Sequence, residues 1–529
     1  MHLFTLHTFL KNLLTTSDFL GILKVDCLSL GMLTAIHKSL DFISARKGFV
    51  FGFQDIPAEC PSTYDMICEA DTVGVFQIES RAQMSMLPRL QPRNFFDLVI
   101  QVAIVRPGPI QGGFIHPYLK RRQGLEPVTY PNKELESVLS STLGIVLFQE
   151  DAMRVAMISA GYSAGEADQL RRDLGGWDRN GERLKKHFDR VVTGMVARGY
   201  AQEFAEAIFE SLKSLGGYSF PRAHAASFAL IAYASCWIKL HYPAEFLAAM
   251  LNSQPLGFYT PSQLVQDALR HGVQVRPPDV MHSDIDCTLE GLPHPPAVRL
   301  GLRIIDKLKS SSAERILLAR SEAPFTSSED LARRASLEQH EMKLLAAADA
   351  LMSLAGHRRQ QVWEASALRS VPLLLRDAPV AEELLELPAA QEGEEVIWDY
   401  ASTGLSLRSH PLALLRPQLD KHRLFKAEEL RHVRDGLMVR HCGLVTLRQQ
   451  PPTANGTTFI TLEDETGVVQ VIVWETVRDA HRQVLSGARL LAVYGKWQRE
   501  GEVMNLIARK LVDMTSLLGG LSTTSRDYK

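Results

Sequence analysis

Cysteine is scarce in this sequence and never arranged to be structural. Cys27, Cys60, Cys68, Cys236, Cys287 and Cys442 are scattered, with no CxxC pair and no histidine at zinc-finger spacing. That excludes a zinc ribbon or a disulfide framework and fits a reducing, cytoplasmic setting. Also absent are G-x-x-x-x-G-K-[ST], a G-x-G-x-x-G following a strand, and G-x-S-x-G, so ATPase, dehydrogenase and serine-hydrolase readings lose their usual support. No segment offers about 18 uninterrupted apolar residues, and a membrane span is not expected. The apolar opening is broken by His2, His7, Lys11 and Asn12 and has neither a basic start nor a small-residue cleavage site, which argues against a signal peptide. Charge of one sign is missing as well: 58 Lys and Arg face 60 Asp and Glu, a formal net charge of -2. Any nucleic-acid binding must therefore come from local basic patches.

What is present is length and patterning. A chain of 529 residues with 46% hydrophobic content can fill roughly three or four domains of about 150 residues each. From about 65 to 259 the apolar spacing is helical, interrupted by the loops "VRPGPIQGGF" and "GGYSFPRAHAA". Short strands separated by prolines then lead into small helices at "SSSAERILLARS", "SSEDLARRA" and "HEMKLLAAADALMSLAG". The stretch "PVAEELLELPAAQEGEEVIWDY" is acidic and proline-bounded and reads as a solvated linker.

Beyond Arg434 the period changes to two. "LMVRHCGLVTL", "TTFITLED", "GVVQVIVWE", "ARLLAVYGKWQ" and "EVMNLIARKLV" read as five strands, with turn signals at Asn455 and Glu500 and a helical insert "ETVRDAHRQVL". This order predicts an OB-fold, a partly open barrel that often binds single strands. The expected architecture is multidomain α+β: an N-terminal segment 1–50, a mainly helical block 51–280, a helix-hairpin-helix-like module 281–375, a linker 376–434, an OB-fold β-barrel 435–515 and a tail 516–529.

Basic side chains gather in loops where folding alone does not ask for them. "QLRRDLGGWDRNGERLKKHF" brings together Arg171, Arg172, Arg179, Arg183, Lys185 and Lys186, suited either to a polyphosphate or to a solvated helix face balanced by Asp173, Asp178 and Glu182. Arg222 and His224 stand just ahead of a long apolar helix, where an anion or ordinary capping would explain them equally. Arg81 and Arg106 lie in apolar surroundings and need an anionic partner, protein carboxylate or ligand phosphate. In the barrel, Trp474, Tyr494, Trp497 and Phe459 offer stacking faces or core, with Lys496, Arg499 and Arg509 beside them for phosphates. Asp284 and Asp286 in "HSDIDC" read as a polar strand edge, and the acids of "LEDETG" as turn residues. Asp26, in "GILKVDCLSLGMLT", is a lone acid on a short apolar strand. Two Mg2+ ions about 4 Å apart need several converging carboxylates, and one does not suffice.

In order along the chain, "ILKVDCLSLGMLT", "VGVFQIESRAQM", "AIVRPGPIQGG", "LGIVLFQEDAM", "GYSAGEADQLRR", "FPRAHAASFALIAY", "KLHYPAEFLAAMLNSQPLGFY" and "STGLSLRSHPLALLR" resemble a bacterial family C DNA polymerase, the last two its error-prone, damage-response branch. The first twenty residues carry no such resemblance. The resemblance implies fingers, a helix-hairpin-helix and an OB-fold, template-directed addition of deoxynucleotides to a primer 3' end across damaged template, and Mg2+ as cofactor. Asp26 then matches a palm carboxylate holding metal, and Lys24 a catalytic lysine near the incoming nucleotide. Arg81, Arg106, Arg171, Arg172, Arg222 and His224 match finger positions facing the deoxynucleoside triphosphate and template. Trp497, Lys496 and Arg499 are carried as nucleic-acid-binding candidates. Implied partners are primer-template DNA, accessory mutagenesis proteins and the sliding clamp, and no membrane. The family's paired palm aspartates would precede Asp26, so this chain alone is expected to bind without turnover. Lys307 stands where the family's hairpin has glycine, which makes the tight turn harder to form. Two other classes stay open: a non-catalytic DNA-binding remnant, and a single-strand-binding protein built on the barrel.

Overall fold

The computed structural model describes residues 29–106, 109, 113–174, 181–216, 220–257, 259–291, 295–368, 385–451, 454, 456–501, 503–523 and 525–528. Asp26, Lys24 and Arg179 lie outside the described residues, as does Asn455 of the predicted turn.

Helices α1 (Leu30–Lys47), α2 (Pro61–Cys68), α3 (Arg81–Leu90), α4 (Phe95–Ile104), α5 (Gln149–Ala160), α6 (Ala164–Leu174), α7 (Gly181–Val196), α8 (Gln202–Gly216), α9 (Arg222–His241), α10 (Pro243–Leu251) and α11 (Pro261–Arg270) share one large core. At its centre stands α9. This helix is long and apolar enough to cross a membrane by length and composition alone, yet it packs against α4, α2, α1 and α10, with 61% of its apolar window buried. A helix apolar on nearly every side suits the middle of a large domain. Its small residues Ala225, Ala229 and Ala232 lie fully covered, while Phe76 meets Phe228 edge-on at 5.1 Å and Phe51 stacks on Trp237 at 5.9 Å.

A three-stranded sheet follows, with β1 (Val275–Arg276) parallel to β3 (Ala297–Arg299), and β2 (Thr288–Glu290) antiparallel to β3. Asp284 and Asp286 precede β2 outside any strand, and each pairs with an arginine: Asp284 with Arg320 at 2.9 Å and Asp286 with Arg303 at 2.5 Å. They form surface ion pairs, and the polar strand edge read from the sequence is corrected accordingly.

The helical module has its own core, built on Ile316, Leu331, Met342, Leu345 and Leu351 from α12 (Ser310–Glu322), α13 (Ser328–Arg334), α14 (Gln339–Ala347) and their connections, closed by α15 (Arg358–Ala367). The tight turn before α12 does form. Lys307 takes the left-handed backbone, φ 63, that a hairpin glycine would take. An L side chain there costs about 1–2 kcal/mol. The Asp306 N–H of the same turn donates to the Ser402 carbonyl at 2.8 Å, so that amide is spent inside the protein.

The described part of the acidic stretch is largely exposed up to Glu394, as its charge run suggests, and then turns inward. Helix α16 (Glu392–Ser402) buries Glu395 and Asp399 around the guanidinium of Arg358, whose side chain is 0% exposed. Arg358 donates to the Glu395 carbonyl at 2.9 Å and to Asp399, and Arg408 reaches Asp349 at 2.8 Å and Glu395 at 3.0 Å. Burial still pushes Asp349 and Glu395 above the usual carboxylate range, although both arginines pull the other way.

The barrel contains β4 (Met438–Gln449), β5 (Thr458–Glu463), β6 (Val468–Val473), β7 (Leu490–Glu500) and β8 (Val503–Asp513). Neighbours run β5-β6-β8-β7-β4, and β4 pairs back onto β5 to close the cylinder. A short β9 (Arg526–Tyr528) adds in parallel beside β4. Alternation sends Ile460, Leu462, Val469, Val471, Leu491, Val493, Trp497 and Leu506 inward. Within the β7–β8 pair the register shifts between Tyr494 and Gly495, and Gly495 lies so close to the Ile507 carbonyl that a Cβ would sit 2.1 Å from its oxygen. Asp464 organises the turn after β5, accepting from Thr466, Gly467 and Ala427 N–H groups at 2.8–2.9 Å.

Candidate nucleotide and nucleic-acid site

The structure brings Arg106, Arg222 and His224 together around two phenylalanines. Phe148, which opens α5, and Phe220, just before α9, form a parallel bridge. Over the Phe220 ring stands the Arg106 guanidinium, 4.7 Å from its centroid, and the His224 ring lies 4.7 Å from the same centroid. Arg222, the first residue of α9, stacks over Phe148 at 4.9 Å and donates to the buried carboxylate of Asp151 at 2.8 Å. Burial raises the Asp151 carboxyl even so, with Arg222 opposing the shift. The Arg222 N–H, which would greet an anion at this helix start, donates to Glu150 at 2.9 Å. Arg222 is thus committed to shaping the junction, while Arg106 and His224 line it.

The other finger candidates lie apart from that junction. Arg171 and Arg172, on α6, both turn to Asp168, at 2.9 Å and 2.6 Å, with Arg172 well exposed. Their partner is Asp168 and none of the acids named from the sequence: Asp173 accepts instead from Gln169 and from His187, both at 3.0 Å, and Asp178 lies outside the described residues. Arg81 starts α3 after its Ser80 cap and donates from Nε to the Thr461 hydroxyl of β5 at 3.0 Å, and from Nη2 to the same oxygen. Burial without a carboxylate partner lowers the Arg81 pKa to about 9.

On the barrel, Trp497 is corrected: at 3% exposure its indole faces the interior and presents no open stacking surface. Lys496 is its neighbour on a strand and so points the opposite way, outward and exposed. Arg499 is exposed but engaged in holding the approach to β4, donating to the Arg431 carbonyl at 3.1 Å while its N–H reaches Asp435 at 2.8 Å.

Sequence reading missed one cluster, because its members lie up to 200 residues apart. Lys239 of α9, 5% exposed, places its ammonium 2.8 Å from Asp71 and 3.0 Å from Asp267, and His271 donates to Asp71 at 2.6 Å. Burial would raise Asp71, but the hydrogen bonds from His271 and Lys239 outweigh it and bring the carboxyl to about 2. The Asp71 carboxylate in turn lifts His271 to about 9. Ligand atoms of Asp71, Asp267 and His271 lie within 4.8 Å of one another. They do not fit Mg2+, because the Lys239 ammonium already stands between the two carboxylates where a cation would sit and offers it no lone pair.

Comparison with known proteins covers most of the chain. Residues 32–199 match the bacterial DNA polymerase III alpha subunit finger domain, 272–361 a helix-hairpin-helix motif, and 439–514 an OB-fold nucleic acid binding domain. The chain is 51% identical to the error-prone DNA polymerase of Methylococcus capsulatus, aligning over 97% of this chain and 51% of that protein. It is 52% identical to that of Burkholderia pseudomallei and 51% to that of Ralstonia nicotianae, each over 97% of this chain and 49% of the relative. The chain therefore spans about half the length of the curated relatives it matches.

Proposed function

This chain belongs to the error-prone branch of the bacterial family C DNA polymerases, and from that premise we propose that it supplies the part of such an enzyme that holds the incoming deoxynucleoside triphosphate and the template strand. The observation that carries the reading is the junction ahead of α9, where Arg106 and His224 converge on Phe220 within the fingers. A guanidinium over an aromatic ring keeps its charge, which suits a phosphate anion, and Arg106 is anchored for that by Nε donating to the Val102 carbonyl at 3.2 Å. Arg222 acts as a positioning residue there, fixing the start of α9 through Asp151.

In the whole enzyme, carboxylate-held Mg2+ would activate the primer 3' hydroxyl, and cationic fingers would offset the charge that grows on the transferring phosphoryl group. Asp26 and Lys24 are proposed for that centre by resemblance. A lone carboxylate does not assemble a two-metal site, so the 529-residue chain by itself should bind nucleotide and primer-template without extending the primer. Accessory mutagenesis proteins and the sliding clamp are proposed partners on the same family ground.

Titration of a fluorescent deoxynucleoside triphosphate, with and without primer-template, tests the reading. Arg106→Ala and His224→Ala should each weaken nucleotide binding about tenfold, roughly 1.4 kcal/mol. Undiminished binding by both variants would remove the junction from the nucleotide site. Robust primer extension by the purified chain with Mg2+ would overturn the expectation of inactivity.

A further inference from the structure

Away from the sites described so far, one nucleophile stands beside a base. Cys60 immediately precedes α2 and is partly exposed, and its Sγ lies 3.5 Å from Nε2 of His241, the exposed last residue of α9. The two are 181 residues apart, and the fold holds them together. The Cys60 N–H donates to the Tyr233 hydroxyl at 2.8 Å, that hydroxyl donates to the Pro57 carbonyl at 2.7 Å, and the Tyr64 ring packs on Tyr233 at 5.6 Å. The turn into α2 is thereby tied to α9, which fixes the sulfur against the imidazole.

The groups around the sulfur favour its charged form. The Ser62 hydroxyl lies 3.2 Å from Sγ. The Thr63 hydroxyl is fully buried, has no partner of full hydrogen-bond geometry among the described residues, and faces the Cys60 sulfur. Such a hydroxyl is poorly served by a neutral thiol and satisfied by a thiolate, or by an oxygen carried on the sulfur. First-turn N–H groups of α2 add to the pull on negative charge there. The neighbouring carboxylate of Glu59 is turned away, accepting from the Phe95 N–H at 3.1 Å. The other described thiols, Cys68, Cys236, Cys287 and Cys442, are buried, and burial pushes each of them up.

We propose that Cys60 is a modification site for hydroperoxides, oxidised in the folded chain to a sulfenic acid while His241 carries the proton. Nε2 takes the proton from the thiol, and the thiolate attacks the hydroxyl oxygen of the hydroperoxide. The S–O bond forms as the O–O bond breaks, and sulfur gives up two electrons to the peroxide. The attacked oxygen keeps its hydrogen and stays on sulfur as S–OH. The departing oxygen takes the proton back from Nε2 and leaves as water, or as an alcohol when the hydroperoxide is organic. The Ser62 and Thr63 hydroxyls then donate to the product. With the other described thiols buried, reduction falls to a small external thiol. This chemistry goes beyond the nucleotide reading and does not depend on it.

The test treats the full chain at neutral pH with limiting hydrogen peroxide, traps sulfenic acid with dimedone and maps the adduct by peptide mass. Cys60 should gain the adduct at least about tenfold faster in the folded chain than in the same chain unfolded in urea, the reverse of the order for the buried thiols. Thr63→Val should slow it about threefold, and Thr63→Ser should restore the parent rate. His241→Gln should slow peroxide oxidation at least about tenfold. The same variant should slow iodoacetamide less, because departing iodide needs no proton. His241 is exposed, so this variant should melt like the parent chain. A Cys60 that oxidises no faster folded than unfolded would overturn the proposal. So would a His241→Gln variant that slows both reagents equally, or neither.

Discussion

Arg81 and Thr461, 380 residues apart, meet where the fingers touch the barrel, and the guanidinium finds there a hydroxyl and no carboxylate. This contact makes the barrel part of one packed body with the fingers. Thr461→Val should leave a buried cation without its acceptor and lower stability by about 1–3 kcal/mol. Urea unfolding measures it. An unchanged midpoint would show that other contacts carry the joint.

The Lys239 cluster makes stability depend on pH at both ends. Asp71, at about 2 when folded, lies below its unfolded value of about 3.9, so its contribution is present above pH 4 and fades as pH falls toward 2. His271, at about 9, lies above its unfolded value of about 6.5, so its contribution is full below pH 6.5 and is lost as pH rises through 9. Melting temperatures of His271→Gln should therefore fall less than those of the parent between pH 6.5 and 9. Parallel curves would dismiss the Asp71–His271 pair as a source of stability.

Lys239→Met should be among the most damaging single changes in the large helical core. It strands two carboxylates in a covered site, at a cost of about 3–5 kcal/mol. Thermal unfolding of the variant at pH 7 provides the measurement.

Cys60 should be the most reactive of the five described thiols. Burial raises its pKa, but hydrogen bonds from Ser62, Thr63 and His241 outweigh that and lower it to about 6. Its Sγ lies 3.2 Å from the Ser62 hydroxyl and 3.5 Å from His241 Nε2. Iodoacetamide labelling followed by peptide mass mapping should show Cys60 modified first, with a half-maximal rate near pH 6. Labelling that rises only above pH 8 would contradict it.

At the hairpin, Lys307→Gly should melt no lower than the parent, since glycine relieves a left-handed side chain that is 80% exposed. Glu314→Gly, exposed within α12, should melt lower, since glycine in a helix interior loses chain entropy with no strain relieved. Equal effects from both would mean that the turn stores no strain.

The barrel was nearly all legible beforehand. Its five period-two segments match β4 to β8 to within two or three residues, because inward and outward residues alternate cleanly along each. The same alternation could have separated Trp497 from Lys496, adjacent residues that cannot share one face of a strand. Aromatic content alone suggested stacking, and burial decided against it. Arg222 was visible as a helix-start cation, but its commitment to Asp151 was not, since that partner lies 71 residues away. Glu395 and Asp399, at the end of the acidic stretch, were misread for a similar reason: a run of like charge says nothing about a buried arginine on another helix. Asp26 and Lys24 rest on resemblance alone.

The four charges around Arg358 also dictate how the molecule can be divided. Any shorter piece ending before Glu395 would keep a wholly enclosed guanidinium while discarding Glu395, Asp399 and Arg408. A self-standing version of the small helical module must therefore extend through Arg408, well past the point where its motif stops.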